Sequence, residues 1–183
     1  MRYKARIFQL NTTSILIEFD EKIEQYFLEF LLNLKNNIHK NNSEPILHII
    51  NTYNSLLVIY KSTINNFYET KISILDQIFE VESAELPQQN ITTIPVCYDT
   101  NYGWDLEDLA VDLKLTKDEI IKRHSSSIYT VFFIGFLPGF PYLGGLDKSL
   151  FHRRKSHPRS KIPMGSVGIA DQQTGIYPIE SPG

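Results

Sequence analysis

Apolar and polar residues alternate along Lys4–Gln9 (KARIFQ) and Ser14–Phe19 (SILIEF), the period-two pattern of strands with one buried face. Between them Leu10-Asn11-Thr12-Thr13 is a polar turn whose side chains bond their own backbone, so the pair predicts a hairpin. The period then lengthens. Ile23, Phe27, Phe30, Leu31, Leu34 and Ile38 recur at helical spacing after Asp20, a candidate N-cap, and predict a helix of about five turns ending near Lys40-Asn41-Asn42. Ile46–Ile50 and Leu56–Tyr60 repeat the strand pair, and a second helix is expected to carry Phe67, Ile74, Leu75, Ile78 and Phe79 on one side. The order ββαββα predicts an α+β layer with both helices on one face of a small sheet.

Glu85-Leu86-Pro87-Gln88-Gln89-Asn90 is short, polar and proline-bearing, which divides the chain into expected domains 1–86 and 91–183. The second half is expected to open with a strand, Thr92–Tyr98. Two helices follow. One holds Leu106, Leu109, Ala110 and Leu113 after a cap at Asp105, and the other starts from the capping box Thr116-Lys117-Asp118-Glu119. This corner has the outline of a DNA-binding helix-turn-helix, but Asp118 and Glu119 would open the recognition helix and Asp105, Glu107, Asp108 and Asp112 line its neighbour, so phosphates would be repelled. Ser127–Phe136 is then a strand rich in aromatic and β-branched residues.

Composition narrows the class. With 42% hydrophobic and 21% charged residues, 183 residues support a packed core rather than a disordered chain. A net charge of −3 gives no general attraction to nucleic acid or anionic membrane. The single cysteine, Cys97, is expected to be buried in its strand and excludes an intrachain disulfide and a four-cysteine zinc site. No signal-peptide pattern opens the chain, and a cytoplasmic location is expected.

From Phe132 to Leu146 the chain reads FFIGFLPGFPYLGGL, uncharged but broken by two prolines and four glycines. Such a stretch turns repeatedly while displaying Phe136, Phe140 and Tyr142, either as an ordered loop beside a binding site or as an aromatic-plugged structural loop. Its continuation GGLDKS is not a phosphate loop, because Asp147 stands where glycine must precede the lysine. The basic run from His152 to Lys161 follows. It is either solvated surface or an anion-gripping segment in which Arg154 or Arg159 holds a carboxylate or phosphate. His124, on the apolar side of its helix, is either a buried, hydrogen-bonded histidine or the candidate acid or base of a cleft. Ser166 lacks the nucleophile-elbow pattern and an evident base, and His152 and His157 lack a third ligand at metal-site spacing. No complete catalytic set and no metal site is predicted.

Five motifs occur together: GFLPGFPYLGGLD (135–147), RR with PR (153–154 and 158–159), IPMGSVGIA (162–170), QTGIYP (173–178) and SPG (181–183). In this order they resemble the allophanate hydrolase subunit 1 family, also called carboxyltransferase subdomain C/D, which includes the B-type subunit of 5-oxoprolinase and the kinase inhibitor KipI. The resemblance implies a small α+β N-terminal domain followed by a cyclophilin-like β-barrel domain. It implies a subunit of an ATP-dependent hydrolase acting on 5-oxoproline or a related cyclic amide or urea compound, assembled with companion subunits, one of them allophanate hydrolase subunit 2-like. The alternative it implies is an inhibitor that binds a sensor histidine kinase and blocks its autophosphorylation. No cofactor motif is present, so ATP would be used by the assembled enzyme. The site is expected in the second domain, with Phe140 and Tyr142 as an apolar wall, Arg154 and Arg159 attracting an anion, and Ser166, Gln173, Thr174 and Tyr177 supplying hydrogen bonds. Two departures stand out: Asn11-Thr12 replaces a glycine-acid pair usual in the family, and the sequence stops at SPG, where members continue with further strands. An incomplete barrel, through truncation or with its open edge covered by another chain, is the expectation.

Overall fold

A computed structural model of the chain describes residues 3–41, 44–81 and 90–183. It divides into two compact units, Met1–Gln88 and Gln89–Gly183. The expected linker lies outside the described residues except for Asn90.

The first unit holds β1 (Ala5–Asn11), β2 (Ser14–Phe19), α1 (Gln25–Asn41), β3 (Ile46–Asn51), β4 (Ser55–Tyr60) and α2 (Phe67–Glu80). Its strands form one antiparallel sheet in the order β1-β2-β4-β3. Alternation sets which face is buried: Ile15, Ile17 and Phe19 of β2 point inward with Leu56, Val58 and Tyr60 of β4, and pairing of Ile15 with Val58 and Ile17 with Leu56 keeps both sets on one side. Phe27, Phe30, Leu31, Leu34 and Ile38 of α1 and Ile74 and Ile78 of α2 close over them in a single cluster. Two expectations are corrected here. Asp20 does not cap α1, which starts five residues later, after Glu24 accepts from the Phe27 amide at 3.1 Å. Phe79 leaves the core side of α2 and is 71% exposed, because a 100° turn per residue carries it away from Ile74 and Ile78.

The second unit holds α3 (Leu106–Leu113), α4 (Lys117–Ser126), β5 (Thr130–Ile134), β6 (Pro141–Gly144), a 3-10 turn at Lys148–Leu150, β7 (Val167–Ala170) and β8 (Gln173–Ile176). Its antiparallel sheet runs β5-β6-β8-β7. The molecule is therefore α+β, with a helix-bearing antiparallel sheet in each unit. Ala110, Ile120, Leu146 and Leu150 form a buried cluster, supported by Leu106, Leu109, Tyr129 and Ile169.

The capping box is complete, with Thr116 Oγ1 accepting from the Glu119 amide at 3.2 Å and the Thr116 amide donating to Glu119 Oε2 at 2.8 Å. No strand forms at Thr92–Tyr98. Ile94, Val96 and Cys97 are exposed there, since β-branched residues make a strand only where a neighbour completes the ladder. Asp147 bonds the amide of Ser149 at 2.8 Å and thereby caps the 3-10 turn, so its carboxylate occupies the amide that a phosphate loop would offer to phosphate. Among the described residues no helix is long and apolar enough to cross a membrane.

Candidate functional site

The proline-glycine stretch folds as a turn between β5 and β6, closed by the Gly135 amide on the Phe140 carbonyl at 3.1 Å. That closure aims Phe140 into the sheet, where it is buried, and leaves Phe136 outside at 59% exposure with a positive φ of 62°. A non-glycine residue in this region is uncommon and costs on the order of 1 kcal/mol, so the surrounding turn holds Phe136 in place.

Phe140 is the hub of an aromatic cluster. Its ring meets Phe136 at 5.5 Å, Tyr142 at 5.0 Å and Tyr177 at 5.2 Å, all edge to face, while Tyr142 stacks on Phe133 at 4.3 Å. Pairing of Tyr142 in β6 with Gly175 in β8 makes room for this, because a Cβ at Gly175 would run into the Phe140 ring. Phe140 is thus the cluster's floor, and Phe136, Tyr142 and Tyr177 are the residues that line its rim. The Tyr177 hydroxyl has no hydrogen bond among the described residues, and the Tyr177 backbone is fixed by bonds with Ser166 and Gly165 at 2.9 and 2.7 Å.

The other expected site residues separate into two groups. Ser166, half-buried, belongs to the turn that holds Tyr177. Thr174 is buried with its hydroxyl donating to the Gly168 carbonyl at 2.8 Å, which ties β8 to β7 and turns the group away from any ligand. Gln173 is half-buried, and its Oε1 is enclosed without a partner among the described residues. Arg154 is exposed.

Arg159 has a different task. Both arms of its guanidinium hold Asp105, at 2.5 and 2.6 Å, and it lies 5.7 Å from the centre of the Trp104 ring. Lys155 reaches the same carboxylate at 2.6 Å and Asp108 at 3.7 Å, and His152 reaches Asp112 at 3.1 Å. Asp105, Asp108 and Asp112 share one side of α3, so the basic run folds back along an acidic helix and much of its charge is neutralised internally. Local pattern alone makes Asp105 a cap and gives no link between the acidic helix and the basic run. The Asp105 side chain makes no cap bond, because the bidentate arginine pair takes it instead.

The Arg159 hydrogen bonds, aided by Lys155, hold the Asp105 carboxyl at about 2, well below its ordinary 3.8, against the opposing effect of burial. A carboxylate with a depressed folded value adds stability above the unfolded value that is lost as pH falls through the folded one. Since the pair is partly solvated, the contribution is on the order of 1 kcal/mol. Asp105→Asn should therefore unfold at lower urea than the parent at pH 6, and the gap should narrow as pH falls below about 4, with only a small part left at pH 2, as urea titrations across that range would show.

His124 is buried on α4, with Nδ1 2.6 Å from the Tyr98 hydroxyl and its carbonyl accepting from the Tyr129 hydroxyl at 2.9 Å. Burial pushes the imidazole below its ordinary value, raises Tyr98, and takes Tyr129 to about 12. The ring is consequently neutral at pH 7 and shares one hydrogen bond with the Tyr98 phenol through Nδ1. It joins Tyr98 and Tyr129 rather than the aromatic rim around Phe140.

Residues 5–183 match the carboxyltransferase domain, subdomain C and D, family. The chain belongs to that family. Among its relatives, the B-type subunit of 5-oxoprolinase from Bacillus subtilis is 34% identical over 193 residues, covering all of this chain and 80% of that protein. Its namesake from Haemophilus influenzae is 40% identical over 141 residues, 76% of this chain and 65% of its own length. The crystal structure of TTHA0988 superposes with a TM-score of 0.73 at 27% identity, covering 93% of this chain and 33% of that longer one. The urea carboxylase of Kluyveromyces lactis, 17% identical, shares the fold with a TM-score of 0.79 over 99% of this chain and 18% of its own. The motifs meet at this cluster: the first shapes the turn around Phe140, QTGIYP supplies Gly175 and Tyr177, and SPG places Gly183 where a Cβ would strike the Tyr177 hydroxyl.

Proposed function

We propose that this chain is the substrate-binding, non-catalytic subunit of an ATP-dependent hydrolase acting on 5-oxoproline or a related cyclic amide or urea compound, and that companion subunits carry the ATP chemistry. The observation that supports this reading is the aromatic rim of Phe136, Tyr142 and Tyr177 over Phe140, a surface with ring faces and a hydroxyl but no nucleophile-base pair. A five-membered lactam has an apolar ring edge that such faces attract, and its amide suits a phenol. Exposed Arg154 lies in the basic run and is the remaining candidate for the carboxylate, because Arg159 is committed to Asp105. The capped turn at Asp147 gives no phosphate cradle, which is why ATP is assigned to another subunit.

The experiment is phosphate release by the full-length protein mixed with its companion subunits. Addition of 5-oxoproline is expected to raise ATP hydrolysis only when this chain is present. Equal hydrolysis with and without the substrate would overturn the reading, and loss of histidine-kinase autophosphorylation in its place would assign the inhibitor role.

A further inference from the structure

Helix α2 carries three stripes. Ile74 and Ile78 face the core, Tyr68, Ile72 and Phe79 lie exposed on a second side, and Glu69, Ser73, Asp76 and Glu80 occupy a third at i, i+4, i+7 and i+11, with Gln77 buried between this third stripe and the core. The third stripe borders a groove of about 520 Å³ that Asn41, the last residue of α1, closes at the far side. Among the described residues no ion pair involves Glu69, Asp76 or Glu80, and the carbonyl end of α1 adds partial negative charge there. Gln77 lines the same groove. It is 6% exposed, and its Oε1 has no hydrogen-bond partner among the described residues, while its Nε2 reaches Ser73 at only 3.4 Å. A buried carbonyl without a donor is costly, and its terminal torsion is soft enough to turn toward an incoming N–H.

We propose that this groove docks an arginine-bearing amphipathic segment of a companion subunit. The guanidinium would lie between Asp76 and Glu80 and donate to Gln77 Oε1, and apolar residues one helical turn away would cover Ile72 and Phe79. Arginine fits better than lysine, because a planar fork supplies several donors at once to two carboxylates and an amide. The exposed apolar stripe beside the acidic one requires that the segment be amphipathic rather than simply basic. The inference rests on the reading that the chain works with companion subunits, and it adds where one of them docks.

The test is co-elution of the full-length chain with its companion subunits on size exclusion, for the parent, D76R/E80R and Q77L. Asp76 and Glu80 are exposed, so the charge-reversed chain should keep the parent's circular dichroism and thermal midpoint. Assembly by the parent, with at least a ten-fold weaker dissociation constant for D76R/E80R and a smaller loss for Q77L, is the expected result. Q77L should also raise the free chain's thermal midpoint, since it removes the partnerless carbonyl. Equal assembly by parent and D76R/E80R overturns the groove alone and leaves the subunit reading intact. Failure of the parent itself to assemble overturns both.

Discussion

Phe140→Ala is expected to destabilise the second unit by about 3–5 kcal/mol, the range for emptying a buried phenylalanine site. The ring touches Phe136, Tyr142 and Tyr177 at once and rests on Gly175, so no neighbour can collapse into the space without leaving its own partner. Trp104, the only tryptophan, lies in this unit and reports on it selectively. Its fluorescence in urea should show a midpoint lower by about 2 M, given a slope near 2 kcal/mol per molar for a unit of this size. Phe136→Ala, four residues earlier, should cost under about 1 kcal/mol because that ring is largely exposed. A double substitution gives the sharper check. Gly175→Ala alone forces a methyl into the Phe140 ring and destabilises by about 1–3 kcal/mol, but in the Phe140→Ala background that penalty should largely vanish. Additive costs would mean the two residues do not share one space.

His124→Ala is the second large effect, about 2–4 kcal/mol, since it removes a buried ring and leaves the Tyr98 phenol without its hydrogen-bond partner. It also changes the pH dependence. The folded value of His124 lies below the unfolded 6.5, so the unfolded chain binds more protons and stability falls as pH drops from 6.5 toward the folded value. The parent should therefore lose stability between pH 7.5 and 5, whereas the variant should lack this part of the slope. Urea midpoints at the two pH values check it, and parallel slopes would contradict a buried neutral imidazole.

Local patterns survive folding where tertiary contacts agree with them. The first sheet is legible because Ile15, Ile17, Leu56 and Val58 alternate and find one another in register, and the Thr116 box because its bonds span only three residues. Thr92–Tyr98 has equally strong strand chemistry but forms no ladder, since a strand depends on a neighbour that its own residues do not encode. Asp105 misleads for the same reason: its partner Arg159 is 54 residues away, and no local rule ranks that pair above a helix cap. The aromatic cluster is half legible. Phe140 and Tyr142 stand out in the stretch, but their division into floor and rim depends on Gly175 lying across the sheet. Phe136 is legible as a displayed ring of the punctuated stretch, but the positive φ that sets its direction belongs to the folded turn and has no local pattern.

If the chain holds substrate through the aromatic rim and leaves the chemistry to other subunits, damage to the rim must appear in binding and not in turnover. Steady-state ATP hydrolysis by the assembled complex, measured against 5-oxoproline concentration with the parent and the Phe136→Ala chain, separates the two. Loss of an exposed ring that contacts the substrate equally in ground and transition states should raise KM about ten-fold, roughly 1.4 kcal/mol, and leave kcat within about two-fold. A fall in kcat at unchanged KM, or no change in either, would contradict it.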